Sequence, residues 1–252
     1  MRKELFFNPR LLCERLAVES LRRRRLARLR GTSAAGLELG HIDSLELLDL
    51  CIPLGIRTIY DVGANVGTWS LLAKAVFPHS VIHAFEPLPE CHAGFLAKLT
   101  GVDGVQLHQT ALGPEDSTAT MYFGDVTDTS SFLRPGPRVQ DHGAPTSSMP
   151  LRALDSFVRE SSLPPPDLLK LDVQGYELQV LEGATDALRA ASAVICEVSF
   201  VELYEGQCLF GDIVGLLASR GFGVHAFGAE TARGVPLVQA DVLFVRPNAP
   251  AS

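Results

Sequence analysis

Residues 58–67, Thr-Ile-Tyr-Asp-Val-Gly-Ala-Asn-Val-Gly, constrain this 252-residue chain more than any other stretch. The run is apolar and β-branched up to Val62, breaks at Gly63 and Gly67, and opens a segment, Trp69 to Val76, with apolar residues at helical spacing. A strand that feeds a helix through a glycine turn leaves backbone N–H groups unpaired at the helix start. Glycine also admits a ligand close to the backbone, because no Cβ stands in the way. This is the outline of a nucleotide-type cofactor loop.

Around that loop the pattern alternates. Strands are expected at 57–62, 80–85, 105–111, 167–172, 193–198, 222–227 and 240–246, and helices at 67–76, 89–100, 176–190 and 210–220. Such alternation builds an α/β fold, with a mostly parallel sheet and helices on both faces. Only the turn-rich Gly228–Pro236 separates the last two strands, so they are expected as antiparallel neighbours at the sheet edge. Residues 112–166 break the rhythm with glycine, proline, serine and threonine, and hold strand-like runs at Ala119–Phe123 and Ser148–Ala153. They read as an insertion over the catalytic face, where functional loops gather.

This domain is expected over 41–252, behind a basic helical extension and linker at 1–40. Pro9 and Gly31 bracket a helix at 9–30, Gly31–Gly40 is a small-residue linker, and a further helix is expected at 41–52. The net charge of -7 argues against nucleic-acid binding by the chain as a whole. Residues 1–30 carry ten Lys and Arg against three Glu, a balance of +7 that leaves -14 for the rest. For the Arg22–Arg25 cluster two readings stand. One is a solvated helix packed on the domain. The other is a surface for anionic lipid or an acidic partner, which would make the protein membrane-peripheral.

The five cysteines are odd in number and hold no C-x-x-C pair, which argues against a disulfide framework or zinc knuckle and fits a reducing cytoplasm. No long uncharged apolar run offers a transmembrane helix. The N-terminal arginines lack the apolar block of a secretory signal, so a cytoplasmic location is expected.

The glycine turn gains meaning from its neighbours. Asp61 lies two residues before Gly63, and Glu86 ends the next strand, 19 positions beyond Gly67. An acid there can accept hydrogen bonds from both ribose hydroxyls of an adenine nucleoside; the plainer reading is that Glu86 caps the following helix. A dinucleotide fingerprint would want G-x-G-x-x-G, whereas these glycines stand four apart. Asp61 would repel a pyrophosphate but could help hold the ammonium group of a methionine moiety. The antiparallel last pair also suits a methyltransferase better than a dehydrogenase.

Several blocks carry a resemblance: Asp61-Val-Gly-Ala-Asn-Val-Gly67, Phe85-Glu86-Pro87, Ala111-Leu112-Gly113, Leu154-Asp155-Ser156, Leu169 through Glu177, Val180 through Ala184, and Ile195-Cys196-Glu197-Val198. In this order, from about residue 55 to 245, they resemble FkbM-type methyltransferases. The resemblance implies the class I (Rossmann-like) fold and an S-adenosylmethionine-dependent enzyme acting on hydroxyls of sugars or polyketides. It implies Asp61, Gly63, Asn65 and Gly67 on the methionine and ribose side, Glu86 at the ribose, and the Ala111–Leu112 backbone beside the adenine. The chain departs from the family at Gln174, where glutamate is common.

Leu169 to Asp172 reads independently as a buried strand that delivers Lys170 and Asp172 to its carboxyl end, where open α/β sheets bind ligands. Asp172 is therefore placed nearest the transferred methyl, with Glu197 facing the same crevice. A sugar hydroxyl is weakly acidic, so a general base or a metal ion must help it react. Asp172 is the first candidate base and His142 the second. Alternatively Asp172 and Glu197 share a divalent cation through oxygen ligands suited to magnesium or calcium, or Asp172 only orients the cofactor's ammonium group while Glu197 caps a helix. Thr129-Ser130-Ser131 resembles a serine pair of the family and stands as a cofactor or acceptor contact. Trp69 reads as core or pocket floor, and His83, His108 and His225 as core or sheet-face residues.

The expected activity is methyl transfer to a hydroxyl of a glycan, glycolipid or natural product. The alternatives are N- or carboxyl-directed transfer to a small molecule, or a non-catalytic cofactor-binding module. Acceptor specificity is expected in residues 112–150.

Overall fold

The computed structural model describes residues 9–37, 44–139, 145–228 and 237–247. Its centre is a seven-stranded sheet. Thr58–Val62 (β1), Val81–Phe85 (β2) and Val105–His108 (β3) run parallel on one side of its middle, and Leu168–Leu171 (β7) and Ala193–Ser199 (β8) run parallel on the other. Gly223–Phe227 (β9) forms the edge, and Gln239–Val245 (β10) inserts antiparallel between β8 and β9. The order is β3-β2-β1-β7-β8-β10-β9. The expected parallel sheet with an antiparallel last pair is present.

Strands covered on both faces must be apolar at nearly every position, and β7, Leu-Leu-Lys-Leu, is buried throughout. Successive side chains point to opposite faces. Ile59 joins one apolar cluster with Leu72, Ile82, Leu168 and Ile195, while Tyr60 and Val62 join another with Phe85, Leu169 and Val194. The first cluster is roofed by Leu45–Leu50 (α2), Thr68–Val76 (α3) and Pro89–Lys98 (α4). The second is roofed by Leu154–Glu160 (α5), Glu177–Glu182 (α6), Thr185–Ala190 (α7) and Phe210–Ser219 (α8). Each fully buried Leu or Ile contributes about 1.5–3 kcal/mol.

Three expectations are corrected. The strand expected at 105–111 is two: after β3 the chain leaves the main sheet at Gln109, and Ala111–Gly113 (β4) pairs elsewhere. The helix expected at 176–190 is also two, α6 and α7, broken at Gly183. A Cβ on Gly183 would stand 2.2 Å from the Gly113 carbonyl oxygen, so the bend is where the chain packs against the end of β4. The segment read as an insertion without a helix contains α5, and a second small sheet. In that sheet Ser117–Tyr122 (β5) runs antiparallel to Thr146–Ala153 (β6), and β4 pairs with β6 on its other side. The helix expected at 41–52 appears as α2, followed by a 3₁₀ turn at Ile52–Leu54; residues 41–43 lie outside the described residues.

The basic helix, Pro9–Leu29 (α1), is docked. Leu29, Ala34 and Leu37 are buried in the same cluster as α2 and α3. Arg25 and Arg28 pair with Glu46 and Asp49 of α2, and Arg23 with Glu19 of its own helix. Arg25 is buried in its pair, whereas exposed pairs such as Arg23–Glu19 contribute about 0–1 kcal/mol. Among the described residues no helix is long and apolar enough to cross a membrane.

Candidate active site

The sheet's order reverses between β1 and β7, and their carboxyl ends open the crevice that such reversals create. Gly63 takes the left-handed φ of 78°, and a Cβ there would stand 1.8 Å from the Asp172 carbonyl oxygen. The glycine is thus demanded by the close approach of the chain leaving β1 to the end of β7. Gly67, with φ 77°, starts α3, and a Cβ on it would meet Phe95 of α4 at 2.8 Å. Its smallness serves helix packing.

Beneath the loop lies a buried ion group. Lys170 donates to the Gly63 carbonyl at 3.0 Å and stands 3.4 Å from both Asp61 and Asp172. Burial alone would lower the Lys170 pKa, but Asp172 and Asp61 outweigh it and hold the ammonium above its usual range. Asp61 is 0% exposed and also accepts from the Ser70 hydroxyl at 2.6 Å. The carboxylate expected to meet a cofactor's ammonium group is therefore engaged from below by Lys170 and Ser70, and neither it nor Gly67 lines the cleft.

Above the loop, Gly63, Asn65, Glu86 and Asp172 do converge on one cleft. Asn65 has φ 46°, and its N–H donates to Glu86 at 2.8 Å, while the other Glu86 oxygen accepts from the Leu88 N–H at 2.8 Å. Burial raises the Glu86 pKa, and these two N–H groups oppose that shift. Leu88 is the cap residue of α4, so Glu86 both caps the helix and faces the cleft. The opposite wall is apolar: Leu88, Ala111, Leu112, Met121, Phe132 and Tyr176.

A strap at 123–136 crosses the mouth. The Asn65 amide donates to the Thr127 hydroxyl at 3.2 Å, and Ser131, 2% exposed, donates to the Gln174 carbonyl at 2.7 Å. The Tyr204 hydroxyl reaches the Thr129 carbonyl at 3.2 Å, and Gly136 donates to the Leu203 carbonyl at 2.8 Å. Thr127, Asp128, Ser130 and Ser131 line the cleft from above. Within Thr129-Ser130-Ser131, the two serines border the cleft and Thr129 anchors Tyr204.

Asp172 borders a second cleft on the α3 side as well, shared with Trp69, Lys170, Asp128 and Asp241. Its side chain is 35% exposed. Behind it stand Gln174, Glu177 and Glu197. The Gln174 amide donates to Asp172 at 3.0 Å and to Glu197 at 3.3 Å. Glu197 also accepts from Gln239 at 2.8 Å, and burial together with Asp172 raises its pKa well above the carboxylate range. Glu177 accepts from the N–H groups of Val173 and Gly175 at 2.9 and 3.1 Å, and burial pushes it up to about 7.

The sequence reading did not give Gln174, Tyr204 and Gln239 these positions. Their only signal was the departure at Gln174. His142 lies outside the described residues. His83 and His108 are buried ring to ring, 3.0 Å between nitrogens, as core residues. Among the described residues no group of three or more His, Cys, Asp and Glu could hold a metal ion. Between Asp172 and Glu197, where a shared cation would sit, Gln174 presents amide hydrogens.

The donor set fits S-adenosylmethionine. Glu86 offers a carboxylate to a ribose diol, the apolar wall offers a face to adenine, and Asp172 offers negative charge to a cationic sulfur. The comparisons agree. The family described as Methyltransferase FkbM domain matches residues 61–224. Methyltransferase 1 of Beauveria bassiana (strain ARSEF 2860) is 30% identical over 212 residues, which cover 76% of this chain and 84% of that protein. The 2-O-methyltransferase NoeI of Sinorhizobium fredii (strain NBRC 101917 / NGR234) is 27% identical, covering 73% of this chain and 77% of the relative. The 31-O-demethyl-FK506 methyltransferase FkbM of Streptomyces tacrolimicus is 29% identical, covering 67% and 73%. With its class I sheet, its cleft and these relatives, the chain belongs to the FkbM methyltransferase family and is an S-adenosylmethionine-dependent methyltransferase.

Proposed function

We propose that the enzyme methylates a hydroxyl oxygen of a glycan or other small-molecule acceptor, with Asp172 as general base. The observation that carries this reading is the placement of Asp172: a partly exposed carboxylate where the two clefts meet. That two relatives bear O-methyltransferase names supports oxygen as the receiving atom.

In this reading Glu86 and the Asn65 backbone hold the ribose, and Leu88, Ala111, Leu112 and Phe132 flank the adenine. The bound S-adenosylmethionine supplies an electrophilic methyl group. Gly63 and Gly67 shape the loop without touching the ligand through side chains, and Asp61 acts at one remove by holding Lys170. The strap shields the reacting centre from water. Asp172 accepts the hydroxyl proton, with Lys170 standing 3.4 Å away.

Assay of methyl transfer over a panel of sugars and polyols tests the proposal. Asp172→Asn should lower kcat by about 10²- to 10⁴-fold while the S-adenosylmethionine Kd stays within about threefold. Unchanged turnover would remove the base role. Transfer only to amines or carboxylates would redirect the acceptor class, and cofactor binding without transfer would favour a binding module.

A further inference from the structure

Asp172 stands where two clefts meet. The first holds Glu86 and the apolar wall given to adenosine above. The second, on the α3 side, has a volume of about 520 Å³, within the range of about 300–1,000 Å³ that small-molecule sites occupy. The two share Gly63, Asn65, Thr127, Asp128 and Asp172 along one rim. A methyl group brought to this rim from the first cleft faces whatever lies in the second.

Polar side chains converge on the second cleft. Thr68 and Thr127 bring hydroxyls, Asn65 an amide, and Asp128 and Asp172 carboxylates. Trp69 brings the one aromatic ring among the described lining residues. It lies in the first turn of α3, packs against the core cluster under that helix and stays partly exposed. A sugar ring has a surface to match: C–H groups that lie against an aromatic face, and a border of hydroxyls that both donate and accept. An apolar ring would leave the lining without the partners those hydroxyls supply. The amino-acid end of the methyl donor fits less well, because its carboxylate would meet Asp128 and Asp172. Lys170, the one cation among the described lining residues, is already held by the Gly63 carbonyl, Asp61 and Asp172.

We propose that the second cleft is the acceptor subsite and takes one neutral sugar ring, stacked on Trp69, with hydroxyls held by Asn65, Thr68 and Asp128. The reacting hydroxyl lies at Asp172. Its oxygen bonds the methyl carbon as the carbon–sulfur bond breaks; the electron pair stays on sulfur, leaving S-adenosylhomocysteine, and the proton goes to Asp172. The transfer given to this subsite rests on the acceptor reading above; its occupation by a sugar does not.

Trp69 is the single tryptophan of the chain, so its fluorescence reports occupation of the cleft directly. The full chain, saturated with S-adenosylhomocysteine, is titrated with a panel of neutral methyl glycosides up to about 100 mM, which fills a millimolar site. At least one should change the emission saturably. Cyclohexanol, a ring of similar size with one hydroxyl, should bind at least about tenfold more weakly. In methyl-transfer assays Trp69→Leu and Val126→Trp should each raise the acceptor KM by about tenfold, while the S-adenosylhomocysteine Kd by calorimetry stays within about threefold. Val126 is 57% exposed and lines the second cleft alone, so its variant fills that cleft without touching the core and serves if Trp69→Leu does not fold.

No saturable change with any glycoside overturns the proposal, as does cyclohexanol binding as tightly as the best sugar. Weakened S-adenosylhomocysteine binding in both variants, with an unmoved acceptor KM, gives the cleft to the donor's amino-acid end instead. Sugar binding at Trp69 without methyl transfer to any acceptor keeps the subsite and removes the transfer reading. Undiminished O-methylation by Val126→Trp keeps that reading and removes the subsite.

Discussion

The two sheets that meet at the cleft are built to different standards. In the seven-stranded sheet β1 and β7 are buried nearly throughout, and their ends are pinned by Gly63, Lys170 and Asp61. In the three-stranded sheet half the positions of β5 and β6 are exposed, and the strap that leaves β5 is held by scattered hydrogen bonds, among them those to Asn65, Gln174, Leu203 and Tyr204. The difference separates tasks. Gly63 and Asp172 follow strands of the buried sheet, while the cover leaves a sheet with more exposed positions, where opening costs less.

The sharpest way to break this contrast is Gly63→Ala. With a carbonyl 1.8 Å from the new Cβ and a left-handed φ, the variant should lose more than about 3 kcal/mol of stability. Urea denaturation reads it; a loss below about 1 kcal/mol would show that the close approach of the two strand ends is soft.

Acid comes next. Burial and His83 hold His108 down at about 4, against an ordinary value of 6.5. The unfolded chain therefore binds more protons than the folded one between these pH values. Stability contributed by the neutral pair is complete above about 6.5 and drains away as pH falls toward about 4, by on the order of 3 kcal/mol. His108→Phe should flatten that part of a Tm-against-pH curve; an unchanged slope would show that the pair is not its source.

The smallest effect belongs to the strap. Ser131→Ala removes the bond to the Gln174 carbonyl, and global stability should fall by about 1 kcal/mol or less. Amide hydrogen exchange should rise at residues 124–135 and not in β1 or β7. Equal acceleration in both places would erase the distinction between sheet and cover.

What could be read from the amino acids follows the same division. The central strands are legible because burial on both faces forces an apolar run, as in Ile59 to Val62 and Leu168 to Leu171. Gly63, Asn65, Glu86 and Asp172 meet in one cleft, since each follows a strand of recognisable pattern, while Ala111 and Leu112, which join them, were legible only through the family resemblance. The engagement of Asp61 by Lys170 is not legible, because Lys170 lies 109 positions further along the chain and no local pattern reports that pair. The break between α6 and α7 was hidden for the same reason: its cause is the Gly113 carbonyl. β5 and β6 gave only weak alternation, because their exposed positions tolerate almost any polar residue.

Strand β10 enters the sheet between β8 and β9 instead of extending the edge. Among the described elements it is the one the ribosome delivers last. A nascent chain that has reached β9 already owns Gly63, Glu86 and Asp172, and with them the cofactor cleft. It does not yet have Gln239 to meet Glu197, and β8 still shows a bare edge that invites wrong partners. In the order of synthesis the cleft of Gly63, Glu86 and Asp172 comes first, and among the described elements β10 is the last to arrive and closes the wall behind Asp172.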